Sequence, residues 1–238
     1  DDHMESTESS REELLTKEGF KKIFPKAKQS MIDSIYPYLM EEMYANDINT
    51  NERMAAFLAQ GYVETGGLMN LKEIEGYKLA SARTAFPSTL KGKSDQEVIK
   101  LLSSSESFLN FVYAAPKNGN RPGTNDGYTY LGRGFFMSTG YDKYAEMTSL
   151  TGIDFLSNPK LMAQPEYAAK SAVQFWDNNN FNNYADKITG EVKVWRVGKK
   201  WNSNQPSFLD ISTTINGGYM HIQNRAIAYN RIYKSSNH

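Results

Sequence analysis

Residues 50–67 constrain the fold of this chain more than any other stretch. Thr50 and Asn51 offer N-cap side chains, Met54, Phe57, Leu58, Gly61 and Tyr62 recur at helical spacing, and Gly66-Gly67 supplies a stop. The pattern predicts a helix that ends near Glu64 and buries one apolar stripe. At ~100° per residue, Glu64 falls at the edge of that stripe and in the last turn, at the negative end of the helix dipole. Partial desolvation and the dipole both disfavour a carboxylate and raise its pKa. A side chain that must donate a proton needs such surroundings.

Most of the remaining chain also has helical periodicity. Helices are expected within residues 12–23, 28–44, 95–102, 107–113, 142–150, 165–176 and 223–233, with Pro37 kinking or dividing the second. Pro165 suits a first turn, and Ala168, Ala169 and Ala172 permit close packing. Residues 117–127 form a loop rich in Gly, Pro and Asn that should border a groove. Val192, Val194 and Val197 alternate around Gly198, which suits a β-hairpin. The expected class is therefore mainly α (α+β), a helical bundle with a small β element and a groove between lobes. One domain over residues 11–238 is expected, with a hairpin insertion at 187–207. Residues 1–10, which open on Asp1-Asp2-His3-Met4, read as a flexible start, a cloning remnant or a cut from a longer protein.

Composition excludes several classes of function. Lys plus Arg and Asp plus Glu each total 27, leaving no net charge to draw in nucleic acid or an acidic membrane surface. Cations between Lys193 and Lys200 fit a solvated hairpin face. With no cysteine and with histidines only at 3, 221 and 238, neither a disulfide framework nor a metal or cofactor site is expected. Nor is membrane insertion, since no apolar run approaches the ~18 residues that span a bilayer. The N-terminus shows no signal-peptide core.

Three segments, in order, resemble the family 19 glycoside hydrolases, which include plant-type chitinases and phage and bacterial lysozymes. The first is Arg53-Met54-Ala55-Ala56-Phe57-Leu58-Ala59-Gln60, continuing to Val63-Glu64-Thr65-Gly66-Gly67-Leu68, with Val63 where the family commonly has His. The second is Asp126-Gly127-Tyr128-Thr129-Tyr130-Leu131-Gly132-Arg133-Gly134-Phe135, running on to Ser138-Thr139-Gly140. The third is Ile215-Asn216-Gly217-Gly218, followed by Asn224-Arg225 and Tyr229-Asn230-Arg231. The similarity spans roughly residues 12–233 and implies a lysozyme-like fold.

Inverting hydrolysis of a glycoside needs one carboxylic acid for the leaving oxygen and one carboxylate to activate water. The resemblance makes Glu64 the acid and Thr139 the hydroxyl that positions the water. Glu73, nine residues after Glu64, matches the second acid of the lysozyme-like branch, with Glu75 in reserve as base or substrate contact. Tyr130 and Asn216 are candidate sugar contacts, and Arg133 and Arg225 are candidate structural supports. Met137 and Lys143 depart from the family's usual Gln and Asn, and Met220 lies near where chitinases place a Glu, which weakens a chitinase more than a muramidase.

The function implied is a peptidoglycan-degrading lysozyme acting on the MurNAc-GlcNAc bond; the alternatives are a chitinase and a non-catalytic wall-binding module. The implied setting is the bacterial cell wall, reached through a secretion system or a phage holin. Peptidoglycan strands are the expected partner, joined by an immunity protein or a secretion carrier if the chain is an antibacterial effector.

Overall fold

The computed structural model describes residues 15–236. The expectations for residues 1–10, the start of the first helix, His3 and His238 therefore lie outside the described residues.

The large lobe is built around α3 (Asn51–Glu64), which follows α1 (Lys17–Ile23) and α2 (Gln29–Ala45). Thr50 caps α3 as expected, its hydroxyl accepting from the Arg53 amide at 3.2 Å. The single-stripe expectation is corrected, because every residue from Met54 to Gly61 is buried. A helix buried on all sides needs small residues where neighbours approach, and Gly61 is one: a Cβ there would lie 1.9 Å from the Phe135 ring. Phe57, one turn earlier, meets Phe135, Phe136 and Trp176 at centroid distances of 5.5, 5.1 and 5.4 Å. The end of α3 is thus locked to residues 135–136. The second helix runs unbroken across Pro37.

Around α3 lie α9 (Tyr141–Thr151), α10 (Pro165–Asn178), α11 (Phe181–Ala185), α12 (Pro206–Asn216) and α13 (Ile222–Ser236), the last packed lengthwise against it. A hairpin of β1 (Val194–Val197) and β2 (Lys200–Ser203) stands on α12 and α13.

A second, smaller core collects Ala82, Leu90, Val98, Phe108, Leu109, Val112 and Leu131. It is enclosed by α4 (Leu79–Ala85), α5 (Pro87–Leu90), α6 (Asp95–Leu101), α7 (Ser105–Val112) and α8 (Asp126–Thr129). Ser94 and Ser104 cap α6 and α7 through their hydroxyls. Two cores define two lobes, and the chain passes between them at residues 65–77 and 130–139. There a short ribbon forms, with Lys72 bridged to Arg133 and Arg133 to Ser138. Three consecutive left-handed residues, Gly66, Gly67 and Leu68, turn the chain out of α3 into this ribbon. Thr65 fixes the turn by donating to the Gly61 carbonyl and accepting from the Leu68 amide.

Candidate active site

Glu64 and Glu73 are held by different lobes. Glu64, in the last turn of α3, has 14% side-chain exposure and accepts on Oε1 from Arg225 Nη2 at 2.7 Å. Oε2 receives no hydrogen bond among the described residues. Arg225, on α13 and almost wholly buried, also donates to Gln60 Oε1 at 2.7 Å, to the Met220 carbonyl at 3.1 Å and to Asn216 Oδ1 at 3.3 Å. Gln60 passes the constraint on to Ser212 at 2.8 Å. Arg225 therefore ties Glu64 to Gln60, Asn216 and the Met220 backbone, and Asn216 reaches the site through Arg225. Burial raises the Glu64 pKa above its ordinary value, and the opposing charges of Arg225 and His221 offset only part of that rise.

Glu73 belongs to the ribbon and the small lobe. Its amide donates to the Gly132 carbonyl at 2.7 Å, and its Oε1 accepts from the Gly132 amide at 3.0 Å. Its Oε2 accepts from Tyr113 at 2.8 Å and, more weakly, from Tyr77 at 3.4 Å. Both phenol rings are seated in the small lobe: Tyr113 on Phe86 at 5.6 Å, Tyr77 on Phe86 at 5.6 Å and on Phe108 at 5.5 Å. Burial raises the Glu73 pKa, while the Gly132 amide, the two phenols and the Arg133 charge pull it back. Burial and the Glu73 charge in turn push both phenols well above their ordinary range, so they stay protonated as donors.

Gly132 joins Glu73 to Thr139. A Cβ on Gly132 would lie 3.1 Å from Thr139 Oγ1 and 3.5 Å from Glu73 Oε1, so the hydroxyl and the carboxylate border one small space. Thr139 donates to the Met137 carbonyl at 2.9 Å, which leaves its lone pairs available there. Met137 makes this turn with a φ of 49°, between Gly134 and Ser138.

Glu75 does not share that space. It pairs with Lys72 and accepts from Tyr128 at 2.9 Å, and these bonds lower its pKa. Arg133 is buried and donates to the Thr129 carbonyl at 2.9 Å and to Tyr144 at 3.1 Å. The sugar-stacking expectation for Tyr130 is corrected. Its ring is 6% exposed, packs on Tyr141 and Tyr144, and its hydroxyl donates to the Leu156 carbonyl at 2.9 Å. A ring covered on its faces has no platform left for a sugar.

Tyr113, Tyr77 and Gln60 were not among the sequence candidates. Gln60 carried a readable signal, a long polar side chain inside an otherwise apolar helical run; the two tyrosines carried none. The loop expected to border a groove does line a recess, with Asn120, Arg121 and Asp126 facing Asn110 and Tyr113. Among the described residues, no three His, Asp or Glu side chains are grouped as metal ligands, and no helix is long and apolar enough to cross a membrane.

No family model matches the chain. A glycosyl hydrolase family 19 domain-containing protein of Haemophilus influenzae is 27% identical over 167 residues, which cover 68% of this chain and 78% of that protein. Chitinase C from Streptomyces griseus, in its crystal structure, is 17% identical with a TM-score of 0.53, over 94% of this chain and 93% of that one. A mutant of chitinase C is 18% identical with a TM-score of 0.49, over 92% and 90% of the two chains. The chain is a glycoside hydrolase with an α-rich, lysozyme-like fold. Within that class its sequence is similar to that of the family 19 domain-containing protein.

Proposed function

We propose that the chain hydrolyses the β-1,4 bond between N-acetylmuramic acid and N-acetylglucosamine in peptidoglycan by single displacement with inversion. Glu64 gives its proton to the glycosidic oxygen as the bond from that oxygen to C1 breaks. Water, oriented by Thr139, attacks C1 from the opposite face and loses its proton to Glu73. The observation that carries this reading is the shared space at Gly132, bordered by a buried carboxylate and a hydroxyl with free lone pairs.

The hydrogen bonds favour this division of roles. Donors fill both oxygens of Glu73, which favours its ionised form. Glu64 has one oxygen anchored by Arg225 and one free to carry the proton.

Two features favour peptidoglycan over chitin as substrate. The nine-residue spacing of Glu64 and Glu73 is that of the lysozyme-like branch. Lys143, where the family often has Asn, is instead engaged with Glu146 at 3.3 Å and with the Phe175 ring at 4.3 Å. The biological setting proposed is a phage endolysin or a secreted antibacterial effector; the effector case requires an immunity protein.

The test is digestion of purified peptidoglycan by the wild type, Glu64→Gln and Glu73→Gln, with products read by mass spectrometry. Muropeptides with reducing N-acetylmuramic acid, absent with both variants, are expected. Cleavage of chitin oligomers with peptidoglycan left intact would make the chain a chitinase. Binding without any cleavage would make it a wall-binding module.

A further inference from the structure

We infer that the outward face of the β1–β2 hairpin is a second binding site, built without either carboxylate, for glycan strands that carry anionic peptide stems; the choice of ligand rests on the function proposed above. The register pairs Val194 with Ser203 and Arg196 with Trp201, which puts these four on one face. Val194 and Trp201 pack against the large core, so that face looks inward. Trp195, paired with Asn202, and Val197, paired with Lys200, take the other face.

The outward face contributes little to folding. Trp195 is 45% exposed and Val197 65%, on a two-stranded sheet whose edges also carry lysines. The platform is nevertheless firmly rooted. Val192 exchanges two hydrogen bonds with the Asn230 amide on α13, at 2.8 and 2.9 Å. Asn204 accepts from the Lys193 amide and donates to the Glu191 carbonyl, and Ser203 donates to the Lys193 carbonyl. A hairpin tied down at its base and apolar at its outer face presents Trp195 in a fixed pose, at low entropic cost to a ligand.

Charge selects the ligand. Residues 187–203 hold five cations, Lys187, Lys193, Arg196, Lys199 and Lys200, against the single acid Glu191, in a chain with no net charge overall. None of the five forms an ion pair among the described residues; Arg196 lies over the Trp201 ring at 5.7 Å and Lys187 over Tyr184 at 5.3 Å. An aromatic face, an amide and unpaired ammonium groups fit a sugar ring with carboxylates close by. Peptidoglycan supplies both along one insoluble strand. For a hydrolase on such a polymer, a second foothold raises the effective concentration of strand at the cleft.

The experiment is cosedimentation of the full chain with purified peptidoglycan sacculi, using Glu64→Gln throughout so that the wall stays intact. Adding Trp195→Ala, or Lys199→Glu with Lys200→Glu, is expected to weaken binding on the order of tenfold. In a separate assay with the native Glu64 restored, each hairpin variant should turn over a short soluble glycan fragment like the wild type. Exposed positions of this kind leave folding intact, which an unchanged melting temperature checks. Unchanged cosedimentation would overturn the proposal, as would equal losses on sacculi and on the short fragment. Hairpin-dependent binding to phosphatidylglycerol vesicles or to DNA, with sacculus binding unaffected, would overturn it in favour of those ligands. If sacculi are bound through the hairpin but yield no new reducing ends with the wild type, the hydrolytic proposal fails and this site stands.

Discussion

The two lobes treat their carboxylates differently. The large lobe sets a full positive charge, Arg225, against one oxygen of Glu64 and ties that cation to Gln60, Asn216 and a backbone carbonyl. The small lobe offers Glu73 only neutral donors, two phenols and an amide, but places them on both oxygens. A cation that bonds a single oxygen anchors a carboxyl and leaves its other oxygen open for a proton. Neutral donors on both oxygens favour the carboxylate form and offset part of the rise that burial causes. Burial raises the pKa of both carboxyls, and the two lobes offset that rise by different means.

Removing either carboxyl is the strongest way to break this comparison. Glu64→Gln and Glu73→Gln should each lower kcat on peptidoglycan by about 10²–10⁴-fold, the usual contribution of an acid or a base. Reducing-end release measures it, and a loss below tenfold in either variant would remove that residue from its role.

Replacing the cation tests the large-lobe half. Arg225→Met leaves Glu64 buried without a countercharge and should cost about 3–5 kcal/mol of stability at neutral pH. The cost should shrink on acidification. A Glu whose folded pKa lies above its unfolded value contributes stability that is present below the unfolded pKa and lost as pH rises through the folded one. Denaturant melts at two pH values check the sign. Adding Glu64→Gln to Arg225→Met should recover part of the loss, and no recovery would mean that the cation acts mainly on Gln60 and the α12–α13 contact.

Smaller changes sharpen the small-lobe half. Gly132 lies outside the left-handed region, so Ala is sterically allowed for the backbone, yet its methyl would enter the space between Glu73 and Thr139. Gly132→Ala should reduce kcat on the order of 10²-fold with little change in melting temperature. Tyr113→Phe removes the shorter of the two phenol bonds. The Glu73 pKa then rises further, so the acidic limb of the pH–activity profile should move to higher pH, with kcat at the optimum falling less than tenfold. An unmoved limb would mean that the amide of Gly132 suffices to hold the base ionised.

Local signals made the large-lobe half legible in the sequence. The Thr50 cap, the apolar run and the Gly-Gly stop all act within a few residues, and they located α3 and Glu64 within it. The hairpin alternation around Gly198 was equally local. The small lobe was not readable in this way, because α4 and α5 are too short to display a period. Tyr113 reaches Glu73 across 40 residues of chain, a contact that no window of spacing can contain. Tyr130 misled for a related reason: an aromatic in a glycine-rich motif looks like a sugar platform, and only its packing against Tyr141 and Tyr144 reveals a core role. Pro37 was expected to kink or divide α2 on propensity alone, yet the helix packs on α10 and runs on through it undivided.

In the proposed mechanism Glu64 and Glu73 work as an acid and a base on opposite faces of the sugar, with no covalent intermediate. Proton NMR of the anomeric signals in the first minutes of peptidoglycan digestion tests it most directly. The account predicts that newly released N-acetylmuramic acid appears first as the α-anomer and mutarotates later. First appearance of the β-anomer would mean retention, and would contradict the roles assigned to both carboxyl groups.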